Sequence, residues 1–238
     1  QIETEFYHLD EKLEVQYPKG QLPEGVYLYL VSYYGQLSDD RILEYKKLYG
    51  NIIVDHTHAF FQRPLKGIDT LYSCRKFWGV SDGAYLSTDT KLTENNTPDY
   101  SEDRMKHILG RYEQDAGTYY KDMLANAAKY EGMELRQMSR LTQNLLKAVD
   151  YETAKAKREE NYRILSELLP SENIFNQIIP EGPFAYPYFH ANGMELRRRL
   201  AAKKIFVPTY WKNILESCER DSLEYTWAAN ILPLPCDQ

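Results

Sequence analysis

Cysteine is scarce in this chain. Three are present, Cys74, Cys218 and Cys236, an odd number with no C-x-x-C spacing and no histidine pattern suited to zinc. A disulfide scaffold is excluded, and the three read as reduced thiols of a cytoplasmic protein. Long apolar runs are missing too: "VYLYLVSYY", the longest near the start, is far too short to span a bilayer, and no signal-like region precedes it. We expect no membrane partner. No run of lysines or arginines tracks a phosphate backbone, and the net charge is −6, so nucleic acid is not an expected partner either. Missing as well are G-x-S-x-G, the P-loop, G-x-G-x-x-G after a strand, and H-E-x-x-H. The cluster "DHTH" at 55–58 offers Asp55, His56 and His58. In a strand, however, 56 and 58 share one face and 55 takes the other, so no metal site is expected. The "NNT" at Asn95 matches a glycosylation pattern that has no meaning in a cytoplasmic compartment.

What is present builds a globular α/β chain. Hydrophobic residues make up 43% of its 238 positions, enough for a core in one large or two modest domains. Residues 26–34, "VYLYLVSYY", read as a strand closed by Gly35. Next comes a helix with Ser38 as N-cap, Ile42, Leu43, Tyr45 and Leu48 at helical spacing, and Gly50 as its stop. "NIIVDHTHAFF" is a second strand, so a parallel strand–helix–strand unit is predicted, with "DTLYSCRK" and "AYLSTD" as further strands. Ligands in such sheets gather at the carboxyl ends of the strands, where Asp55, His58, Ser73 and Lys76 fall. From about Tyr100 to Leu169 the text turns to long charged helices, "RMKHILGRYEQDAGTYYKDMLANAAKYEG" and "YETAKAKREENYRILSELL" among them, whose charges read as solvated faces. Beyond Pro170, "FAYPYF" and "IFVPTYW" are strand candidates around the helix "GMELRRRLAAKK". Arg197–Arg199 on that helix reads as surface charge, and the tyrosines Tyr186, Tyr188 and Tyr210 read as packing.

One stretch resists a purely structural reading. In "DTLYSCRKFWGVSDGAYL" two adjacent cations, Arg75 and Lys76, follow a β-prone run, and a buried unpaired charge costs several kcal/mol. Either they sit where the strand ends in solvent, or one does chemistry. Pyridoxal phosphate needs a lysine to capture its aldehyde and a carboxylate beside its ring nitrogen, and two neighbouring strand ends could hold Lys76 and Asp55 against one ring.

The segment "VDHTHAFF…GIDTLYSCRKFWGVSDGAYLSTD" resembles the DegT/StrS family of pyridoxal-phosphate-dependent sugar aminotransferases, whose pattern runs "ED-x-A-[QH]", then "G…gD…fSF…K", then "tgEGG". The resemblance implies a fold-type-I transferase-like α/β fold. Residues 1–144 would be the C-terminal part of the mixed-sheet large domain, and 145–238 a small α+β C-terminal domain. It places Asp55 at the partner of the pyridine nitrogen, His58 against the cofactor ring, Ser73 at the phosphate and Lys76 at the covalently bound lysine. Asp82 and Gly83 resemble the acidic-glycine turn. Ser73 stands closer to Lys76 than in the family, and Arg75 is either a second phosphate ligand or a solvated cation. Weaker likeness continues through "RLTQNLLKAVDYETAKAKREENYRIL" and "ILPLPCDQ". The implied partners are an amino donor such as glutamate, a nucleotide-linked keto-sugar and a second copy in a homodimer. Gln1 in place of Met, and the absence of the family's amino-terminal part, lead us to expect a partial polypeptide. A catalytically silent chain with a structural role is the alternative. The family's dehydratases carry histidine in place of the lysine, so Lys76 argues against that branch.

Overall fold

The computed structural model describes residues 2–93, 96–169 and 178–237, so Asn95 lies outside the described residues. A two-stranded antiparallel hairpin, β1 (His8–Leu9) and β2 (Val15–Gln16), comes first. The main sheet follows: β3 (Leu28–Val31), helix α1 (Asp39–Tyr49), β4 (Ile52–Asp55), β5 (Asp69–Ser73) and β6 (Ala84–Ser87). Its order is β3-β4-β5-β6, with the first two pairings parallel and the last antiparallel. The protein is therefore mixed α/β, and the expected strand–helix–strand unit is present.

Strand alternation decides which side of this sheet is covered. Leu28, Leu30, Ile52, Val54 and Thr70 turn inward, and the first four pack with Ile42, Tyr45 and Tyr49 of α1 into one core. Tyr29, Val31, Ile53, Asp55, Leu71, Ser73 and Leu86 take the other face and stay half-buried or exposed. α1 begins where Ser38 accepts a hydrogen bond from the Arg41 N–H at 3.3 Å, with Asp39 and Asp40 in its first turn and Lys46 and Lys47 in its last, as the helix dipole favours. It stops at Gly50, whose φ of +77° suits glycine. Leu43, expected on the apolar face, is exposed instead; that face is made by Ile42, Tyr45 and Tyr49, and the Tyr49 hydroxyl donates to the Tyr17 carbonyl at 3.0 Å.

The helical region contains α2 (Lys106–Glu113), α3 (Tyr120–Ala128), α4 (Arg140–Lys147) and the long α5 (Tyr151–Leu168). The single helix expected over 104–132 is broken, because Asp115 accepts from the Thr118 N–H and hydroxyl at 2.9 and 2.7 Å and so supplies a turn that competes with the helix. Next come β7 (Ala185–Phe189), α6 (Gly193–Ala202), α7 (Ile214–Ser217), α8 (Leu223–Asn230) and β8 (Ile231–Pro235), with β7 and β8 antiparallel. "IFVPTYW" is not a strand: Lys204 just before it and Trp211 at its end take φ values of +62° and +50°, which no strand tolerates. Of the arginine triplet, Arg198 and Arg199 are surface charges as expected and Arg197 is structural. Arg197 donates to the Ala229 and Ile231 carbonyls at the C-terminal end of α8, at 3.0 and 2.7 Å, and Arg198 pairs with Glu195. Among the described residues no helix is long and apolar enough to cross a membrane.

The Asp82–Gly83 turn ties the sheet to this helical layer. Asp82 is buried and accepts from the Ser139 N–H (2.8 Å), the Ser139 hydroxyl (2.9 Å) and the Thr142 hydroxyl, all at the N-terminus of α4. Gly83 sits at φ +107°, and a Cβ there would press on Met138 and Thr142 at 3.1 Å. Asp82→Ala would leave the buried Ser139 N–H and Thr142 hydroxyl without an acceptor, while the Ser139 hydroxyl could still turn to Ser101. The substitution should lower stability by about 3 kcal/mol, read as a shift of the denaturant midpoint; a change below about 0.5 kcal/mol would show that the network is dispensable.

Candidate functional site

The two cations part company where β5 ends. After Ser73 the chain tightens into a 3-10 turn over Cys74–Lys76, with the Cys74 N–H held by the Gly83 carbonyl at 3.1 Å and the Cys74 carbonyl accepting from Phe77 and Trp78 at 3.2 and 3.0 Å. The strand therefore stops before the charges. Arg75 lies over the Tyr130 ring at 4.6 Å, on the side of the helical layer. Lys76 turns the other way: its Nζ stands 5.0 Å from the Tyr210 ring centroid and 6.0 Å from that of Phe184. The Lys76 side chain stays accessible to solvent, yet desolvation by the surrounding protein, and then the neighbouring Arg75 charge, lower its pKa against an opposing pull from Asp55.

His58 lies beneath the rings that Lys76 faces. It is buried and stacks on Phe184, with ring centroids 4.3 Å apart and an interplanar angle of 15°, and has Tyr34, Tyr210 and Trp211 within 5.7 Å. Its Nδ1 has no hydrogen-bond partner among the described residues. Burial and then the Lys76 charge push its pKa down to about 3, so the ring is neutral. The wall comes from far along the chain and is pinned by Arg158, which donates to the Pro183 carbonyl at 3.2 Å and the Phe77 carbonyl at 3.5 Å while lying over the Phe77 ring at 4.9 Å. One guanidinium thus fixes the turn that carries Lys76 and the segment that carries Phe184.

Asp55 closes β4. The parallel register sets it opposite Val31 and Leu71, its Oδ2 accepts from the Tyr29 hydroxyl at 2.9 Å, and its Oδ1 accepts from the Thr57 N–H at 2.7 Å. Ser73 ends the adjacent strand on the same face, opposite Ala84. Strand geometry does not continue to residue 58, since β4 ends at Asp55 and the chain turns. His56 accordingly departs from its expected company with His58: it enters the core beside Tyr72, at 5.4 Å between rings, where burial lowers its pKa to about 4. Among the described residues no three His, Cys, Asp or Glu side chains are grouped to hold a metal.

The structure thus turns Lys76 toward Phe184 and Tyr210, the rings that pack on His58, sets Asp55 and Ser73 at the ends of adjacent parallel strands on one face, and sends Arg75 toward Tyr130. Tyr210 packs as read, on His58, Phe184 and Trp211, and also faces Lys76, whereas Tyr186 is core, edge-on to Tyr162 at 5.0 Å. Phe184, Trp211 and Tyr29 had no local signal, being set by tertiary contacts. Comparison with family models, curated proteins and solved structures gives no match.

Two buried neutral histidines make a pH signature. Their folded pKa values lie below the unfolded value of 6.5, so the unfolded chain binds their protons first; the stability they contribute is complete above pH 6.5 and is lost as pH falls toward 4. Each should add a slope of about 1.4 kcal/mol per pH unit in that window. His58→Phe should remove one such increment in urea unfolding between pH 6.5 and 4.5, and an unchanged slope would show that His58 is already charged in the fold.

Proposed function

We propose that the chain carries the catalytic centre of a pyridoxal-phosphate-dependent aminotransferase, moving an amino group from an amino acid such as glutamate to a nucleotide-linked keto-sugar. The observation that carries this reading is the placement of Asp55 at the end of β4 and of Lys76 in the turn that follows its parallel neighbour β5, with Lys76 facing the rings that pack on His58. The donor set suits the cofactor. A primary amine stands ready for an aldehyde, a carboxylate with one hydrogen bond on each oxygen keeps lone pairs for a ring nitrogen, and an orphaned Nδ1 in a buried ring awaits a partner. The homodimer implied by the resemblance is part of the proposal.

When bound, pyridoxal phosphate supplies an aldehyde that captures amines reversibly and a ring that accepts the electron pair of a broken α C–H bond. The protein's residues do the rest. Lys76 would hold the cofactor covalently until an amino donor displaces it. Its Nζ would then be placed to move the proton of the donor's α-carbon as general acid and base, a role in which the direction of its pKa, lowered by desolvation and then by Arg75, helps. Asp55 would hold the proton on the ring nitrogen. Ser73 would hold the phosphate from the end of β5, and the rings of Phe184 and Tyr210 would restrict water around Nζ.

Mixing the protein with pyridoxal phosphate should give a visible absorbance band that borohydride fixes to the peptide carrying Lys76, and Lys76→Ala should abolish it. A label on another peptide, or a band that survives the substitution, would contradict the assignment. No band in the wild-type protein would leave the structural role as the better reading.

A further inference from the structure

We infer that Tyr29 is a positioning residue that fixes the Asp55 carboxylate for the ring nitrogen of the cofactor, an inference that rests on the functional reading above. The parallel register pairs Tyr29 with Ile53, which puts Asp55 two residues further along the neighbouring strand and on the same face of the sheet. Side chains in that diagonal relation are within reach when one of them is long and aromatic. The Tyr29 hydroxyl donates to Asp55 Oδ2 at 2.9 Å.

The strand that carries the phenol is itself held. Tyr7 donates its hydroxyl to the Tyr29 carbonyl at 2.9 Å, so the backbone of β3 at this point is bonded to the leading segment as well as to β4. On the other side, Thr57 N–H occupies Oδ1. A free aspartate rotates about two bonds; this one has a donor on each oxygen and is restrained to a single plane. Burial, and secondarily the Asp55 charge and hydrogen bond, raise the pKa of the Tyr29 hydroxyl, which stays protonated and remains a donor across the working pH range. A hydrogen bond to a charged acceptor is stronger than a neutral one, so its orienting effect is large for one hydroxyl. Nothing in the motif block around Asp55 and Lys76 contains this residue; it comes from the strand before α1.

The test compares two ligands on the full chain. One is pyridoxal phosphate, and the other is its carbocyclic analogue, in which C–H replaces the ring nitrogen and gives Asp55 nothing to hold. Tyr29→Phe keeps the ring and removes the hydroxyl. Its dissociation constant for pyridoxal phosphate should rise about tenfold, with affinity for the analogue unchanged, which also serves as the check on folding. Asp55→Asn should show the same ligand dependence, and adding Tyr29→Phe to it should cost nothing more, as expected of two residues acting through one contact. Equal losses for both ligands, or additive losses in the double variant, would mean that Tyr29 only supports the sheet and would overturn the inference. Failure of the wild-type protein to capture either ligand at Lys76 would overturn the functional reading and this inference with it, whereas normal capture with an unaffected Tyr29→Phe protein would overturn this inference alone.

Discussion

A lysine and a histidine cannot both be charged when they stand against the same aromatic rings. Water is largely displaced around His58 by Phe184, Tyr34, Tyr210 and Trp211, and the Lys76 Nζ faces two of these rings, Phe184 and Tyr210. A charged imidazole there would lose its hydration and meet the Lys76 charge, and the fold avoids both by keeping His58 neutral. The remaining positive charge is shared out by geometry. Arg75 is turned onto the Tyr130 ring, and Asp55 supplies the opposing negative field. Much of the local architecture serves this arrangement, including the early end of β5, the 3-10 turn over Cys74–Lys76 and the Arg158 clamp between the Phe77 and Pro183 carbonyls.

The sheet then acts as a ruler. Parallel pairing of β3, β4 and β5 sets Asp55 opposite Val31 and Leu71, with Ser73 two residues beyond Leu71, so carboxylate and hydroxyl share a face by register alone. Alternation sends the neighbouring residues, Val54 and Thr70, into the core side of the sheet. Polar chemistry and hydrophobic stability are thus separated by a single residue step. The Asp82 network performs a similar service just beyond the end of β5, where the turn that receives the Cys74 N–H is bonded to the N-terminus of α4.

Local signals in the sequence were sufficient where a single cap or period decides the outcome. Ser38 and Gly50 bound α1 because a side-chain acceptor and a positive φ are local requirements, and the strand–helix–strand order follows from the spacing of apolar residues. The strands proved shorter than their apolar runs: "VYLYLVSYY" is extended only to Val31, after which Tyr34 takes a φ of +55° in a turn that places its ring near His58. Residue types marked Asp55, His58, Ser73 and Lys76 as candidates. The ring wall was not legible, since Phe184, Tyr210 and Trp211 reach the recess through contacts distant in sequence, and the irregular 205–211 segment has the composition of a strand. Tyr29 was hidden for another reason, in that an aromatic residue in a β-prone run reads as packing until the register shows what its hydroxyl meets.

Titrating individual lysines shows whether desolvation and the Arg75 charge lower the Lys76 pKa. Labelling with an amine-specific reagent across pH, quantified peptide by peptide by mass spectrometry, gives a midpoint for each. Lys76 should titrate below the ordinary lysine value of 10.5, while Lys106, paired with Asp122 at 2.9 Å on the surface, should titrate above it. A Lys76 midpoint equal to or higher than that of Lys106 would show that desolvation and Arg75 do not lower its pKa, and would count against the proposal that Lys76 is a reactive lysine.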